Sequence, residues 1–539
     1  MSGRIFLFVG CCTLASHSLA QVKLDRLFPP AVTIGNEAVI KAEGKFPDWP
    51  PRIVCDREDV TIECAEKSGE LNVAVAKNAS PGVAWVRMRD KTSVSQLVCL
   101  LITSTSVQTE TDKNNKVSEA TVVEAPCMIA GRLEKSADID SYKVSVRDGD
   151  TLVVSTTAHQ WLGSPMDAVL QLTDERGNVL QQTDDSQGLD PRIVHQVSRD
   201  RDLFVRIFAF PETPNSTIGY AGSASFVYAM QFTTGPFLNH ALPLVSSPAN
   251  ESKAFGWNLP GNATIQREQP SSDSPAACFV DGVLGWGPQI AAPDGSSFAS
   301  DTEPEASLET LPGVFSGHLS KPKEIDGVQL NLKKGVRYHA TVHSRNFGFP
   351  VDSVLKLVQV AAEGKETELA SNDDRQREKW DAGLSYTAKA DGVVELRISD
   401  LVDGHGTTHA YSVVIQESLP VAVLNVAEDR FTVKPAAELE LTVTIDRQHG
   451  FNQKLQLQAV QLPAGVTSEA VISEPKGGSA KTVKLKLNAD KTAKAIQSKF
   501  RVVGTVLGDD GKPTDETFNA VTEIRPLVSL QDFWLSVSP

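Results

Sequence analysis

The chain has 539 residues, 41% hydrophobic and 22% charged, with a formal net charge of −15. The length is too great for one hydrophobic core and predicts roughly 3–5 domains of ordinary globular composition. The acidic balance excludes nucleic acid and anionic membrane surfaces as partners, because both need clustered Lys and Arg.

The first residues, "MSGRIFLFVGCCTLASHSLAQVK", read as a secretory signal peptide over 1–20. Arg4 supplies the positive start, Ile5 to Leu14 the short apolar stretch, and Ser18-Leu19-Ala20 the small residues before Gln21. A lipoprotein signal cut before Cys11 ranks below this, since "FVGC" lacks the usual Leu. No later stretch reaches about 18 apolar residues, so no transmembrane anchor is expected. The protein is read as exported: periplasmic, cell-surface or extracellular.

Beyond the signal the chain predicts an all-β fold of tandem β-sandwiches. Short runs rich in Val, Ile, Leu, Thr and Phe alternate with Gly, Pro, Asn and Asp clusters. Residues 21–105 ("EAVIKAEG", "LNVAVAKN") form an Ig-like β domain. The polar "TSTSVQTETDKNNKVSEA" reads as a linker leading into a β domain over 106–236. Residues 237–304, with "NLPGNATIQREQPSSDSPAACF", form a short β or linker module. A second β domain covers 305–417, and 418–539 returns to strands as an Ig-like domain. Only "NADKTAKAIQSKF" carries a weak helical pattern.

The β domains at 106–236 and 305–417 are copies. "IAGRLEKSADIDSYKVSVRDGDTLVV" aligns with "FSGHLSKPKEIDGVQLNLKKGVRYHA", matching Gly131 with Gly317, Asp140 with Asp326 and Gly149 with Gly335. Farther on, Asp167 matches Asp352 and Arg206 matches Arg397. In "SYKVSVRDGD", Tyr142, Val144 and Val146 face one side before the Asp148-Gly149 turn. The long period marks a duplicated domain, not a solenoid.

These residues carry a resemblance. "GRLEKSADIDSYKVSVRDGDTL", an Asp-bearing strand and "DLFVRI" resemble the bacterial pre-peptidase C-terminal (PPC) domain. The second copy departs from the pattern, with Gly327 in place of the usual aromatic. The resemblance implies a compact jelly-roll sandwich of secreted proteins, in many relatives beside a peptidase domain. "LFPPAVTIGNEAVIKAEGKFPDWPPRIV", "GSPMDAVLQL", "TGPFLNHALPL" and "FGWNLPG" are similar to a family of large exported bacterial proteins. Those combine an Ig-like opening, two PPC-like domains and an Ig-like tail, and have no assigned activity.

Both copies carry an acidic hairpin. With "DERGN" (174–178) as the turn, Leu172 faces Val179, Leu170 faces Gln181, and Asp167 falls opposite Asp184. In the second copy Asp352 falls opposite Asp373 or Asp374. Facing carboxylates destabilise a strand pair, and Asp185 and Asp190, with Asp374 and Asp381 in the second copy, add more. A hard cation with six to eight oxygen ligands, Ca²⁺, would neutralise each group. Solvated turn carboxylates are the competing reading. Paired carboxylates also serve glycosidases, but two equal active sites in tandem would then be needed, and that reading is set low.

Other chemistry is sparse. There is no G-x-S-x-G, H-E-x-x-H or phosphate-cradling Gly loop, and His405 and His409 of "HGTTH" read as surface residues. Five Cys remain after the signal: Cys55, Cys64, Cys99, Cys127 and Cys278. Cys55 and Cys64 flank "DREDVTIE" and either close a small loop or sit buried as apolar residues. Asn215 and Asn262 begin glycosylation sequons. Trp161 in one copy and Phe347 and Phe349 in the other sit in equivalent loops. They predict either a binding surface or plugs packed on their own sandwiches, the latter favoured. The expected function is an exported, non-enzymatic binding, adhesion or structural array of the cell envelope, calcium-stabilised, with an extracellular protein or polysaccharide as partner. An accessory protein docking on a secreted enzyme is the alternative.

Overall fold

A computed structural model describes residues 21–111, 113–211, 219–269, 274–361, 363–375 and 380–538. The expected signal peptide (1–20) and the sequon at Asn215 lie outside them. The fold is all-β, and apart from three short 3₁₀ turns no helix occurs among the described residues. No helix there is long and apolar enough to cross a membrane.

The opening domain is a sandwich of two four-stranded sheets. Lys23–Phe28, Glu37–Lys45, Glu70–Val75 and Val60–Cys64 form one; Ala31–Thr33, Val98–Thr103, Gly82–Arg89 and Arg52–Cys55 form the other. Alternation places Leu71, Val73 and Val75 in the core between them.

The two copies repeat strand for strand. In the first, one sheet runs Thr121–Val123, Asp140–Val146, Arg201–Pro211, Met166–Thr173, Val179–Thr183. Its partner runs Arg192–Gln196, Thr151–Thr157, Val227–Thr233, Cys127–Arg132, Val107–Thr109. In the second the same orders are filled by Ser307–Leu308, Ile325–Leu332, Gly392–Asp400, Ser353–Val360, Glu366–Asn372, and by Gly383–Thr387, Arg337–His343, Ala410–Glu417, Gly313–His318, Ser297–Ser300. Tyr142, Val144 and Val146 share the buried face, as their spacing predicted. The Gly149 and Gly335 turns both take positive φ, 85° and 84°, where a Cβ is unfavourable.

Two details differ from expectation. Ser297–Ser300 pairs in parallel with Gly313–His318, so β-structure of the second sandwich begins ahead of residue 305. The polar "linker" is woven into the first sandwich: Val107–Thr109 pairs with Cys127–Arg132, and Asn114 is buried.

The middle module holds a two-stranded sheet, Phe237–Leu242 with Lys253–Trp257. A four-stranded one, Val245–Ser246, Gly287–Ala291, Ala276–Phe279 and Gln266–Glu268, lies beside it. The last domain closes around Leu424, Val443, Leu457, Leu485, Phe500 and Phe533. Its long strand Ile496–Leu507 pairs first with Phe533–Val537, then with Leu455–Val460 and Pro513–Arg525. "NADKTAKAIQSKF" is not helical. Asp490 accepts the Thr492 N–H and hydroxyl, both at 2.8 Å, a local turn that competes with helix, and the tail joins the long strand.

The five units are not strung out. Trp85 and Leu101 of the opening domain, Met128 and Trp161 of the first sandwich, Trp286 of the middle module and Val528 of the last domain share one apolar cluster. The last domain returns to the first through Arg87–Asp429, 2.7 Å and buried on both sides. Gln497 adds bonds to the Asp90 and Ser93 carbonyls at 2.6 and 3.1 Å. The sandwiches also touch each other, Gly188 N–H donating to the Gly348 carbonyl at 3.1 Å.

Candidate functional site

The eight hairpin acids divide into two kinds. Asp190 is 2% exposed and its carboxylate accepts three successive backbone N–H groups, Ala158 (3.1 Å), His159 (2.7 Å) and Gln160 (3.1 Å). Asp381 does the same for Ser344 (3.3 Å), Arg345 (2.9 Å) and Asn346 (3.4 Å). Burial pushes both carboxyls up while the amide bonds pull them back. Three donors facing one carboxylate call for its ionised form. Each clamp fixes the loop bearing the docking aromatics.

The remaining six lie at the open end of the hairpins. The expected strand register is off by two residues in the first copy: Leu170 pairs with Thr183 and Leu172 with Gln181, with a bulge before Thr173–Val179. The ladder therefore stops before Asp184, and Asp167 does not face it. In the second copy the last pair is Leu355–Asn372, and Asp352 faces neither Asp373 nor Asp374. The carboxylates still feel one another. Asp167 is pushed up by burial and then by Asp185 and Asp184, and Asp185 by burial and Asp184. Burial raises Asp352 as well; Arg345 opposes this, and Asp400, Asp374 and Asp373 reinforce it. Among the described residues no group of three or more His, Cys, Asp or Glu is arranged to hold a metal ion.

The repeated Gly and Asp of the aligned motif form a different device. Tyr228 donates to Asp140 at 2.6 Å, and Tyr411 to Asp326 at 2.7 Å. Glu110 accepts the Arg132 N–H at 2.7 Å, and Asp301 accepts the His318 N–H at 2.8 Å at the equivalent point. Each copy thus sets a pair of acids beside a tyrosine, with Asp140 buried and Glu110, Asp301 and Asp326 half-buried. Burial, then Asp140, drives Glu110 upward, and burial raises Asp326 to about 6. A Cβ at Gly131 would lie 2.2 Å from the Tyr228 hydroxyl, and one at Gly317 2.3 Å from Asp301 Cγ, so both glycines are required by close approach.

The loop aromatics plug junctions between units. Trp161 packs on Trp286 with ring centroids 4.9 Å apart, and Phe347 and Phe349 pack with Leu242 and Leu244. They are buried against the middle module, neither exposed nor folded onto their own sandwiches. All five Cys are unpaired, and burial raises their thiols. Of the two histidines read as surface residues, His405 is exposed and His409 is half-buried.

A cleft with a mixed lining lies between the middle module and the second sandwich, about 620 Å³ in volume. Phe255 and Phe298 supply apolar surface. Lys253, Glu251 and Glu303 stand exposed at its edge, with Asn250, Asp301 and His318 deeper. His318 reaches across the junction to His240, Nε2 to Nε2 at 2.8 Å, and Phe255 stacks on His240 at 5.3 Å with an interplanar angle of 11°. Sequence reading missed this site. The available signal was one alignment column, Arg132 against His318. Arg132 bonds Glu43 of the opening domain at 2.9 Å, and His318 bonds the middle module, so the same position docks each sandwich onto the unit before it.

No family model matches the chain, and no curated protein matches it. Among solved structures, the M60 catalytic domain with CBM51-1 and CBM51-2 of Clostridium perfringens ZmpB is 9% identical, with a TM-score of 0.15, over 72% of this chain and 46% of that one. The fibronectin(III)-like modules of Clostridium thermocellum CbhA are 10% identical, with a TM-score of 0.13, over 39% of this chain and 94% of theirs. Tripeptidyl peptidase 2 is 8% identical, with a TM-score of 0.15, over 95% of this chain and 39% of that one. The chain thus spans less than half the length of the first and third, and likeness this low carries no argument about function.

Proposed function

We propose that the chain is an exported, non-catalytic binding protein of the cell envelope. On this reading the tandem sandwiches are locked into one body and an extracellular ligand occupies the 620 Å³ cleft between the middle module and the second sandwich. The observation that carries the reading is the cleft's lining: half-buried phenyl surface ringed by hydrogen-bonding side chains, the usual make-up of a small-ligand site. The acids and tyrosines of the repeats are tied into the fold, which supports a binding role over turnover. The test is sedimentation with the insoluble polysaccharide fraction of the native envelope. Wild type should pellet, and the double variant Lys253→Ala, Glu303→Ala, altered only at exposed positions, should stay in solution. Equal pelleting would remove the cleft from the reading, and release of reducing ends or peptides would remove its non-catalytic part.

Calcium at the hairpins is part of the proposal with a reduced ligand set. Asp167, Asp184 and Asp185 repel one another in the first copy, and Asp352, Asp373 and Asp374 in the second, while Asp190 and Asp381 are committed to backbone amides. Calorimetric melting should rise with calcium and fall with chelator, and an unchanged melting temperature sinks this part.

A further inference from the structure

One group lining the cleft has its donor character set from outside it. The Arg192 guanidinium, in the first sandwich, carries only donors, and it bonds Asn239 Oδ1. Gln187 Nε2 donates to the same oxygen at 3.4 Å. The Asn239 amide is thereby oriented with Nδ2 toward His240 Nδ1, 2.9 Å away. An NH₂ group can only donate, so His240 Nδ1 accepts and that ring's proton sits on Nε2. His240 Nε2 then donates across 2.8 Å to His318 Nε2, which leaves the proton of His318 on Nδ1.

An extra proton has no place in this chain. On His240 Nδ1 it would face the Asn239 amide hydrogens, and on His318 Nε2 it would face the His240 N–H. The charges around the pair agree. Burial holds His240 well below the usual imidazole range, helped by His318 and Arg192. Burial brings His318 down to about 4, with Asp301 opposing and Lys253 and His409 assisting.

We infer that His318 presents a fixed Nδ1–H donor to the cleft, that Asn239 and Arg192 are positioning residues for that proton, and that the ligand class is a neutral sugar. A sugar sets hydroxyl and ring oxygens, which accept from His318 and Lys253, beside a C–H face that suits Phe255 and Phe298. Its own hydroxyls can donate to Glu303. An ammonium or guanidinium ligand would meet the carboxylates of Glu251, Asp301 and Glu303, but it brings no acceptor for the His318 N–H or the Lys253 ammonium. The inference rests on the cleft being the binding site.

The tautomers are tested in the free protein, and the ligand class separately. Selective ¹⁵N-histidine labelling at pH 7 should show both rings neutral, His240 protonated at Nε2 and His318 at Nδ1. His318 protonated at Nε2, or charged, overturns the hydrogen-bond chain whatever binds. Asn239→Leu should give mixed tautomers at His318, and a single unchanged tautomer overturns the positioning role. If that variant does not fold, the wild-type spectrum still decides. Titration with cellotetraose, chitotetraose and maltotetraose should show binding by at least one, weakened roughly five- to tenfold in His318→Phe. Binding of tetralysine instead overturns the sugar class and leaves the cleft as a site. Binding of none, with the tautomers as stated, overturns the class and the cleft reading together.

Discussion

Replacing Asp190 by Ala should separate the two kinds of hairpin acid. The carboxylate is buried and bonds three consecutive amides at 2.7–3.1 Å. A hydrogen bond to a charged group is worth about 1.5–3 kcal/mol net. Part of the loss is offset because a carboxylate is no longer desolvated and water can enter the space it leaves. The net destabilisation is therefore about 3–5 kcal/mol. Asp190→Asn should fall between, since its oxygen can keep two amides while its NH₂ meets the third. Asp185→Asn has the opposite sign: it removes repulsion with Asp184 at an exposed site, a stabilisation of at most about 0.5 kcal/mol. Calorimetry of the full chain gives the ordering, and hydrogen exchange places it. The amides of 158–160 should lose protection in Asp190→Ala alone. Melting of that variant within about 1 °C of wild type, where one kcal/mol in a domain of this size is worth about 3–5 °C, with 158–160 still protected, would refute the clamp.

Other perturbations follow the same logic. Glu110 and Asp140 hold their protons more tightly folded than unfolded, so their contribution is complete below the unfolded carboxylate range, near pH 4, and is lost as pH rises. Glu110→Gln should flatten the fall in denaturation midpoint between about pH 6 and 9, and an unaltered slope would count against it. Gly131→Ala places a methyl against the buried Tyr228 hydroxyl and should destabilise by about 2–3 kcal/mol, read by urea melting. Asp429→Asn leaves Arg87 buried without its counter-charge, a loss of about 3–5 kcal/mol. The last domain should come away from the first, seen as a larger radius of gyration by X-ray scattering. Thiol reagents should find Cys55 and Cys64 first, with Cys99, Cys127 and Cys278 reacting only on unfolding.

Strand-level features were legible because side-chain alternation is local. The duplication, the Tyr142-Val144-Val146 face and the Asp174 turn, where Asp174 N–H bonds the Asn178 carbonyl at 3.0 Å, all come from short windows. Hairpin register was not legible. The turn itself shifts the pairing by one residue, Thr173 to Val179, and a bulge beside it adds a second; nothing in "DERGN" announces either. Nor was the burial of Trp161, Phe347 and Phe349, because their partners lie in another domain and composition cannot say which loops meet. Asn114 shows the same limit: in a stretch as polar as "ETDKNNK" nothing marks it as the side chain that, among the described residues, is buried. The cleft depends on two histidines 78 residues apart, each unremarkable alone.

The column that holds Arg132 in one sandwich and His318 in the other works as an address label. The sandwiches share a strand order, yet they are not interchangeable parts. A recombination that placed the second copy where the first stands would offer Glu43 an imidazole in place of the guanidinium, leaving that carboxylate to Arg26 and Lys41 of its own domain. The reverse exchange would press a guanidinium against His240, with no acceptor position left for it. Domain order in this protein is thus written in single residues at the seams, and a designer wishing to extend the array would edit that column before any core.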